Sequence, residues 1–233
     1  MPNNRVVFSF FRYPTSHALF AFLLMGFQRL FRGEDAPDGT MRLMGCGGGD
    51  GFSIIPDFNR YCLMSNLTHR QDLARVRQSK FYRRVAGPSV EQIHFILHPT
   101  SGRGTWGGAP PFDYSDGLGG NRPLAVLTHA RVTAARSAAF WRGVPGIRRE
   151  LAASPGCVYH MGFGEQPLRT LATLSIWQDL EAMQRFAYRG TSHHRVSRAA
   201  RAEHWLVESL FVRLEIEAIE GDLDRHPKLL SLA

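Results

Sequence analysis

The stretch 170-TLATLSIWQDLEAMQRFAYRGTSHHRVSRAARAEHWLVESLFVRLEIE-217 decides how the rest of the chain is read. It opens on Thr170-Leu-Ala-Thr-Leu-Ser-Ile-Trp177, where Leu171, Thr173, Ser175 and Trp177 point one way and Ala172, Leu174 and Ile176 the other. β-Branched and aromatic residues at period two describe a pleated, half-buried strand. Gln178-Asp179 starts a helix, with Leu180, Met183 and Phe186-Ala187 at three-to-four-residue spacing. Gly190-Thr191-Ser192 is expected to interrupt it, and His193-His194 follow in the break. An Arg-rich helical run over residues 195–205 comes next, and residues 206–216 read as a returning strand. A strand, a helix, two imidazoles and a second strand form one compact unit, which is expected to hold the reactive centre.

The same two periods recur outward from it. Strands are expected over residues 6–12, 41–46, 60–67, 92–98, 124–132 and 157–164. A helix opens near Thr15-Ser16, either a plausible cap, and runs to about Phe31 with Leu19, Phe22, Leu23, Phe27 and Leu30 on one stripe. Further helices are expected over residues 71–85, after Thr68-His69-Arg70, and 135–151, the latter open to being split at Gly143 and Pro145. The order is β-α-β-β-α-β twice. This predicts an α+β protein of two ferredoxin-like halves, fused as a dimeric α+β barrel in one chain. The expected divisions are a first half at 1–99, a Gly/Pro-rich linker or lid at 100–123, a second half at 124–220 and a tail at 221–233.

With 233 residues and 44% hydrophobic content, the chain is large enough for one substantial domain or two small fused ones. No segment approaches the roughly 20 apolar residues of a membrane helix. The expectation is a cytoplasmic protein with peripheral membrane contact to collect a greasy substrate. The net charge of +8 invites nucleic acid as a partner, but no partner of that kind is expected. Only Lys80 and Lys228 are lysine, and the arginines are scattered along the whole length without a recognition-helix or RNA-binding signature. Cys46, Cys62 and Cys157 are odd in number, lack CxxC spacing and read as reduced core thiols.

Gly45-Cys-Gly-Gly-Gly-Asp-Gly-Phe52 has the look of a phosphate cradle, yet no Lys-Ser/Thr follows and Ser53-Ile-Ile-Pro56 does not open a helix. A turn with several positive φ angles, or a close backbone approach to a flat ligand, fits better. No Ser-His-Asp or Cys-His arrangement and no carboxylate pair stands out.

Three blocks resemble the spheroidene monooxygenase family. The first is Met44-Gly45-Cys46-Gly47 with Gly51-Phe52. The second is Leu97-His98-Pro99-Thr100-Ser101 before Trp106, then Pro123-Leu124-Ala125-Val126-Leu127-Thr128 before Phe140-Trp141. The third is Leu174-Ser175-Ile176-Trp177 with Phe186-Ala187-Tyr188-Arg189, His193, and Arg201-Ala202-Glu203-His204-Trp205 before Glu208 and Arg213. The resemblance runs nearly end to end. It implies a haem-dependent monooxygenase that oxygenates an acyclic carotenoid or similar apolar small molecule to a keto or hydroxy product, with an electron donor such as a ferredoxin. It places the iron ligand on His193, with His194 an open alternative. Where that family often has a basic residue, this chain has His129.

A haem iron needs one strong axial donor, for which neutral imidazole serves. Propionates need cations, and Arg195, Arg198 and Arg201 form a row at helical spacing. Oxygen activation also needs a polar group on the open side of the iron, and His129, His160 and Arg42, all on expected strands, are the candidates. Two other readings stand beside this one: a haem enzyme on the same scaffold oxidising a nitrogen-containing metabolite, and a haem-binding module without turnover.

Overall fold

Strand β1 (Arg5–Arg12) leads into α1 (Ala18–Gly26) and α2 (Gln28–Phe31), then β2 (Met41–Gly47) and β3 (Pro56–Leu67). Helices α3 (Leu73–Gln78) and α4 (Lys80–Ala86) precede β4 (Glu91–Gly104). The pattern then restarts with β5 (Leu124–Val132), α5 (Ser137–Ala152), β6 (Cys157–Gly164) and β7 (Thr170–Trp177). Helices α6 (Leu180–Arg189) and α7 (Thr191–Ala202) lead to β8 (Leu206–Gly221), and α8 (Pro227–Leu230) follows. The computed structural model describes residues 5–32, 41–67, 73–117, 122–189 and 191–232, except the side chains of residues 189, 191, 193 and 201.

The eight strands close into one antiparallel barrel in the order β1-β3-β2-β6-β7-β5-β8-β4. Pleating sorts the side chains into three cores. Ala172, Leu174 and Ile176 of β7 point into the barrel with Phe8, Phe10, Phe95, Phe163 and Val212. Leu171 and Trp177, on the opposite face of β7, pack instead under α5, α6 and α7 with Phe140, Trp141 and Val196. A separate outer core joins the first-half strands to Leu24, Val76 and Phe81. Phe163 of the second half meets Phe8 and Phe10 of the first at ring-centre distances of 5.9 and 5.8 Å. The barrel interior is therefore filled with packed aromatic rings.

The two halves meet along two unequal seams. Strands β4 and β8 pair along most of their length, from Ile93↔Gly221 to Gly104↔Leu210. Strands β2 and β6 pair only at Gly45↔Gly164 and Cys46↔Phe163. The Gly-rich loop reinforces this short seam. Gly49 and Gly51 take positive φ, +71° and +88°, so the chain turns back, and the Gly162 N–H donates to the Asp50 carbonyl at 2.9 Å. A Cβ on Gly51 would lie 1.9 Å from the Gly162 carbonyl oxygen.

Several sequence expectations are corrected. Thr191 starts α7, so His193 and His194 sit in its first turn and not in a break before it. Pro145 lies inside α5 without splitting it. The helix expected over residues 71–85 is two: Ser79 leaves helical geometry and its hydroxyl accepts the Tyr82 N–H at 3.1 Å, capping α4. Residues 33–40, 68–72 (with Thr68-His69-Arg70 and the expected helix start), 118–121 and Gly190 lie outside the described residues. Strand β4 runs on to Gly104, because β8 offers it a partner that periodicity cannot reveal. Neither Thr15 nor Ser16 caps the first helix by its side chain. That helix breaks at Phe27, and its apolar stripe faces outward: Leu19, Phe22, Leu23, Phe27 and Leu30 are exposed while Ala21 and Leu24 are buried.

Gly51→Ala should lower stability by about 3 kcal/mol or more, since positive φ and a backbone clash add. Gly108→Ala has the same φ of +88° but open space around the new methyl, and should cost only about 1 kcal/mol. Urea unfolding of the two variants separates the clash from the backbone strain; equal losses would show that the loop does not brace the seam.

Candidate active site

The outer face of β5, β7 and β8 is roofed by α5 and α7. Its floor there is short-chained, with Thr128, Ala130, Thr173 and Ser209, so sheet and helices stand apart. The result is a cavity of about 420 Å³, walled by apolar groups such as Phe140, Val144, Ile147 and Val196. It shares Arg103, Ser197 and Phe211 with a wider cleft of about 670 Å³ that also takes in His194, Arg198 and Arg213. Together they form a slot that is apolar at its inner end and cationic at its mouth. That is the size and polarity of a small-molecule site.

Helix α7 is held over the slot by three features of α5. A Cβ on Gly143 would lie 2.6 Å from Val196, and one on Gly146 would lie 3.2 Å from the Ser192 hydroxyl, so the two glycines flatten the roof helix. The Glu150 carboxylate accepts the Ser192 N–H at 3.0 Å, putting negative charge at the amino end of α7. At the other end the Trp205 N–H returns to the Ala200 carbonyl at 2.9 Å, and Arg136 holds Glu203 at 3.0 Å. His194 and Arg198 stand one turn apart and line the cleft together. Arg195 is exposed beside them but does not line it. The side chains of His193 and Arg201 lie outside the described residues. The Arg103 and Arg213 guanidinium groups lie 5.8 and 6.0 Å from the centre of the Phe211 ring. Sequence reading passed over Arg103 as a site residue; only the pairing of β4 with β8, Arg103↔Phe211, brings it to the cleft. Arg213 stood in a recognised block but had no assigned role.

The expected strand candidates divide between two other clusters. His129 and Arg42 meet through Trp106 under the cap of residues 105–117. The His129 ring stacks on Trp106 at 4.5 Å and 9°, and the Arg42 guanidinium lies 5.2 Å from the same indole. Arg42 pairs with Glu165 at 3.1 Å, and Arg131 lies 3.5 Å from Glu208. Burial would raise the Glu208 carboxyl, but backbone N–H groups of Gly108 and Gly107 outweigh it and hold the group below its ordinary range. His129 is 3% exposed, and among the described residues neither buried ring nitrogen has a hydrogen-bond partner. Burial, helped by Arg42 and Arg131 against Glu208, pushes its pKa down to about 4.

His160 lies in the second cluster, 3.2 Å from Asp50 and 3.8 Å from the Cys157 sulfur. Arg148 of α5 reaches Asp50 at 2.8 Å. Burial would raise the Asp50 carboxyl, but its hydrogen bonds to Arg148 and His160 hold it below the usual carboxylate range. Burial pushes the Cys157 thiol up to about 12, which leaves it protonated and poorly nucleophilic. This cluster is a brace between the Gly-rich loop, α5 and β6. Cys46 and Cys62 are buried free thiols. Among the described residues no three His, Cys, Asp or Glu side chains gather as a set of metal-ion ligands, whereas a macrocycle that brings its own four donors needs only one imidazole.

No family model matches the chain. It is 32% identical over 183 residues to spheroidene monooxygenase of Rhodobacter capsulatus, covering 77% of this chain and 76% of that protein. It is also 32% identical over 177 residues to spheroidene monooxygenase of Cereibacter sphaeroides, covering 75% of this chain and 55% of that protein. Among solved structures, an aldoxime dehydratase in complex with butyraldoxime superposes with a TM-score of 0.57 at 10% identity, over 97% of this chain and 84% of that one. A second aldoxime dehydratase structure gives 0.54 at 11%, over 91% and 82%. These two likenesses establish a shared fold.

His129 contributes stability as a buried neutral ring. Its folded pKa of about 4 lies below the ordinary 6.5, so the contribution is complete above pH about 6.5 and is lost as pH falls toward 4. His129→Phe keeps the stacking ring and removes the titration. Urea unfolding between pH 7 and 4.5 should show up to about 3 kcal/mol less pH-dependent loss in the variant. The slope that remains belongs in part to His94, whose burial also lowers it to about 4.

Proposed function

The chain belongs to the spheroidene monooxygenase family of oxidoreductases, and on that premise we propose that it inserts oxygen into an acyclic carotenoid, or a similar apolar polyene, at a haem held in the slot beneath α7. The product in this reading is a keto or hydroxy carotenoid. The observation that carries it is the slot itself: an apolar interior between sheet and helices, an imidazole on its lining and guanidinium groups at its mouth. The residues fit the group. An imidazole of the His193-His194 pair would supply the axial donor; His194 lines the cleft, and His193 precedes it on the same helical turn. Arg103, Arg198 and Arg213 suit two propionates, with Arg195 and Arg201 on the same helix as Arg198. When bound, the haem supplies oxygen activation, with electrons from a donor such as a ferredoxin.

The protein's own part is binding, orientation and the exclusion of water. Phe140, Val144, Ile147 and Val196 offer a polyene apolar contact without competing hydrogen bonds. Glu150 and Gly143 fix the helix that carries the imidazoles, so the donor is held on a rigid element. His129 lies between Thr128 and Ala130 on β5, so its ring turns to the opposite face of the sheet from the slot and stacks on Trp106 at the barrel end. His160 and Arg42 are engaged with Asp50 and Glu165. The element order, with strand order β4-β1-β3-β2 in one half and β8-β5-β7-β6 in the other, supports reading each half as a ferredoxin-like unit.

Titration of the purified protein with haemin should saturate at one equivalent and produce a Soret band. His193→Ala and His194→Ala are then titrated separately. The variant that lacks the axial donor should lose the native band position and bind haemin at least about tenfold more weakly. If both variants keep the native spectrum, the assignment of the ligand to α7 is wrong. Single-oxygen incorporation into an acyclic carotenoid, read by mass, tests the substrate class.

A further inference from the structure

We propose that the face formed by α1, α2 and the tip of the Gly-rich loop docks on the surface of an anionic lipid bilayer. Helix α1, Ala-Leu-Phe-Ala-Phe-Leu-Leu-Met-Gly, has no polar side chain, so it cannot present a polar face to water. Ala21 and Leu24 go into the core with Met25 partly buried against it; Leu19 is 69% exposed and Leu30 of α2 80%. Ile55 is 74% exposed, with Ile54 and Phe58 beside it. These belong to one surface: Phe22 and Phe58 meet edge to face at 5.6 Å, and Phe22, Ile54 and Phe58 share the rim of one small cavity. Single exposed leucines are ordinary, but a contiguous apolar patch on this scale marks an interaction surface.

Charge selects the occupant. Arg29 of α2 is exposed and Arg84 lies over the exposed Phe31 ring at 5.4 Å, whereas Arg12 pairs with Glu91 at 3.7 Å and Arg32 lies over the buried Phe81 ring; neither α1 nor α2 carries an Asp or Glu. Near the loop tip, Asp57 lies 4.0 Å from Arg60 and accepts the Asn59 N–H, so it is locally compensated. An apolar helical face fringed by arginine suits the boundary of headgroups and acyl chains, where apolar rings bury and guanidinium groups meet lipid phosphates. A second copy of the chain in a two-fold pairing would set Arg29 against its own equivalent, with no carboxylate on α1 or α2 to meet it.

Position connects this face to the slot. The small cavity under Phe22 and Phe58, about 100 Å³, is also lined by Trp141 and Leu171, and Leu171 lines the 420 Å³ cavity as well. Gly51 and Ser53 border the small cavity while Phe52 between them borders the large one. A bilayer held against α1 would bring membrane-dissolved polyene to Phe52 and Leu171, the wall between surface and slot. This delivery role rests on the proposed function; docking itself does not.

The test is flotation of the full chain with vesicles of phosphatidylglycerol and phosphatidylethanolamine, and in parallel with phosphatidylcholine alone. The expected result is co-flotation with the anionic vesicles, weakening as salt rises. Leu30→Glu/Ile55→Glu, two exposed positions outside the slot, should cut binding about 100-fold, and Arg29→Glu about tenfold, with melting temperature and haemin titration unchanged. Failure to float at low salt, or undiminished binding by the double variant, overturns the proposal. So does a dimer in sedimentation that the double variant dissociates, which would make the face a self-interface. Turnover of carotenoid in detergent micelles separates the two readings: micellar turnover without flotation sinks docking alone, and flotation without turnover sinks the enzymatic reading alone.

Discussion

Asp50 holds together the parts of this molecule that sequence distance keeps apart. Its carboxylate meets Arg148 of α5 and His160 of β6, and its carbonyl accepts the Gly162 N–H. The seam it braces has only two residue pairs, so the barrel's closure there depends on contacts beyond the ladder. Arg148 belongs to the helix that roofs the slot, which ties cavity shape to barrel closure. A carboxylate partly withdrawn from water needs partners of this kind, and two cationic partners together offset the desolvation that would otherwise raise its pKa.

The barrel interior and the slot divide the work. Inside, Phe8, Phe10, Phe95 and Phe163 fill the space, and the barrel acts as scaffold. Outside, short residues on β5, β7 and β8 leave a gap that α5 and α7 cover without filling. The outer core is thus incompletely packed, and that loss of dispersion contact is tolerated because the closed barrel supplies the stability. The first half uses the same elements differently: its helices press Leu24, Val76 and Phe81 closely onto the sheet and turn the rest of α1 outward.

The polar cap at the barrel end concentrates charge, with Glu208 buried and its neighbours Arg42, Glu165 and Arg131 partly exposed. Arg42, Glu165, Arg131 and Glu208 surround Trp106 and His129, and Gly107 and Gly108 take positive φ to bring their N–H groups to Glu208. The cap ties the segment after β4 to strands of both halves. Among the described residues no helix is long and apolar enough to cross a membrane. The apolar surface of α1 and α2 therefore lies along an interface if it meets lipid at all.

Period-two alternation determined how residues 170–177 divide between two faces, because a pleated strand leaves each side chain no other choice; only the closed barrel decided that Ala172, Leu174 and Ile176 face its interior. Sequence also determined the doubled β-α-β-β-α-β order and the turn character of the Gly-rich loop, since glycine-dense backbone favours positive φ wherever it occurs. Tertiary structure decided the rest. The outward stripe of α1 is indistinguishable in sequence from a buried one, because periodicity reports that a helix has an apolar face and not whether anything covers it. Arg103 joins His194 and Arg198 only because the pairing of β4 with β8 continues to Gly104. His129 and Arg42 lie 87 positions apart and meet across one indole, and that contact arises only when the barrel closes.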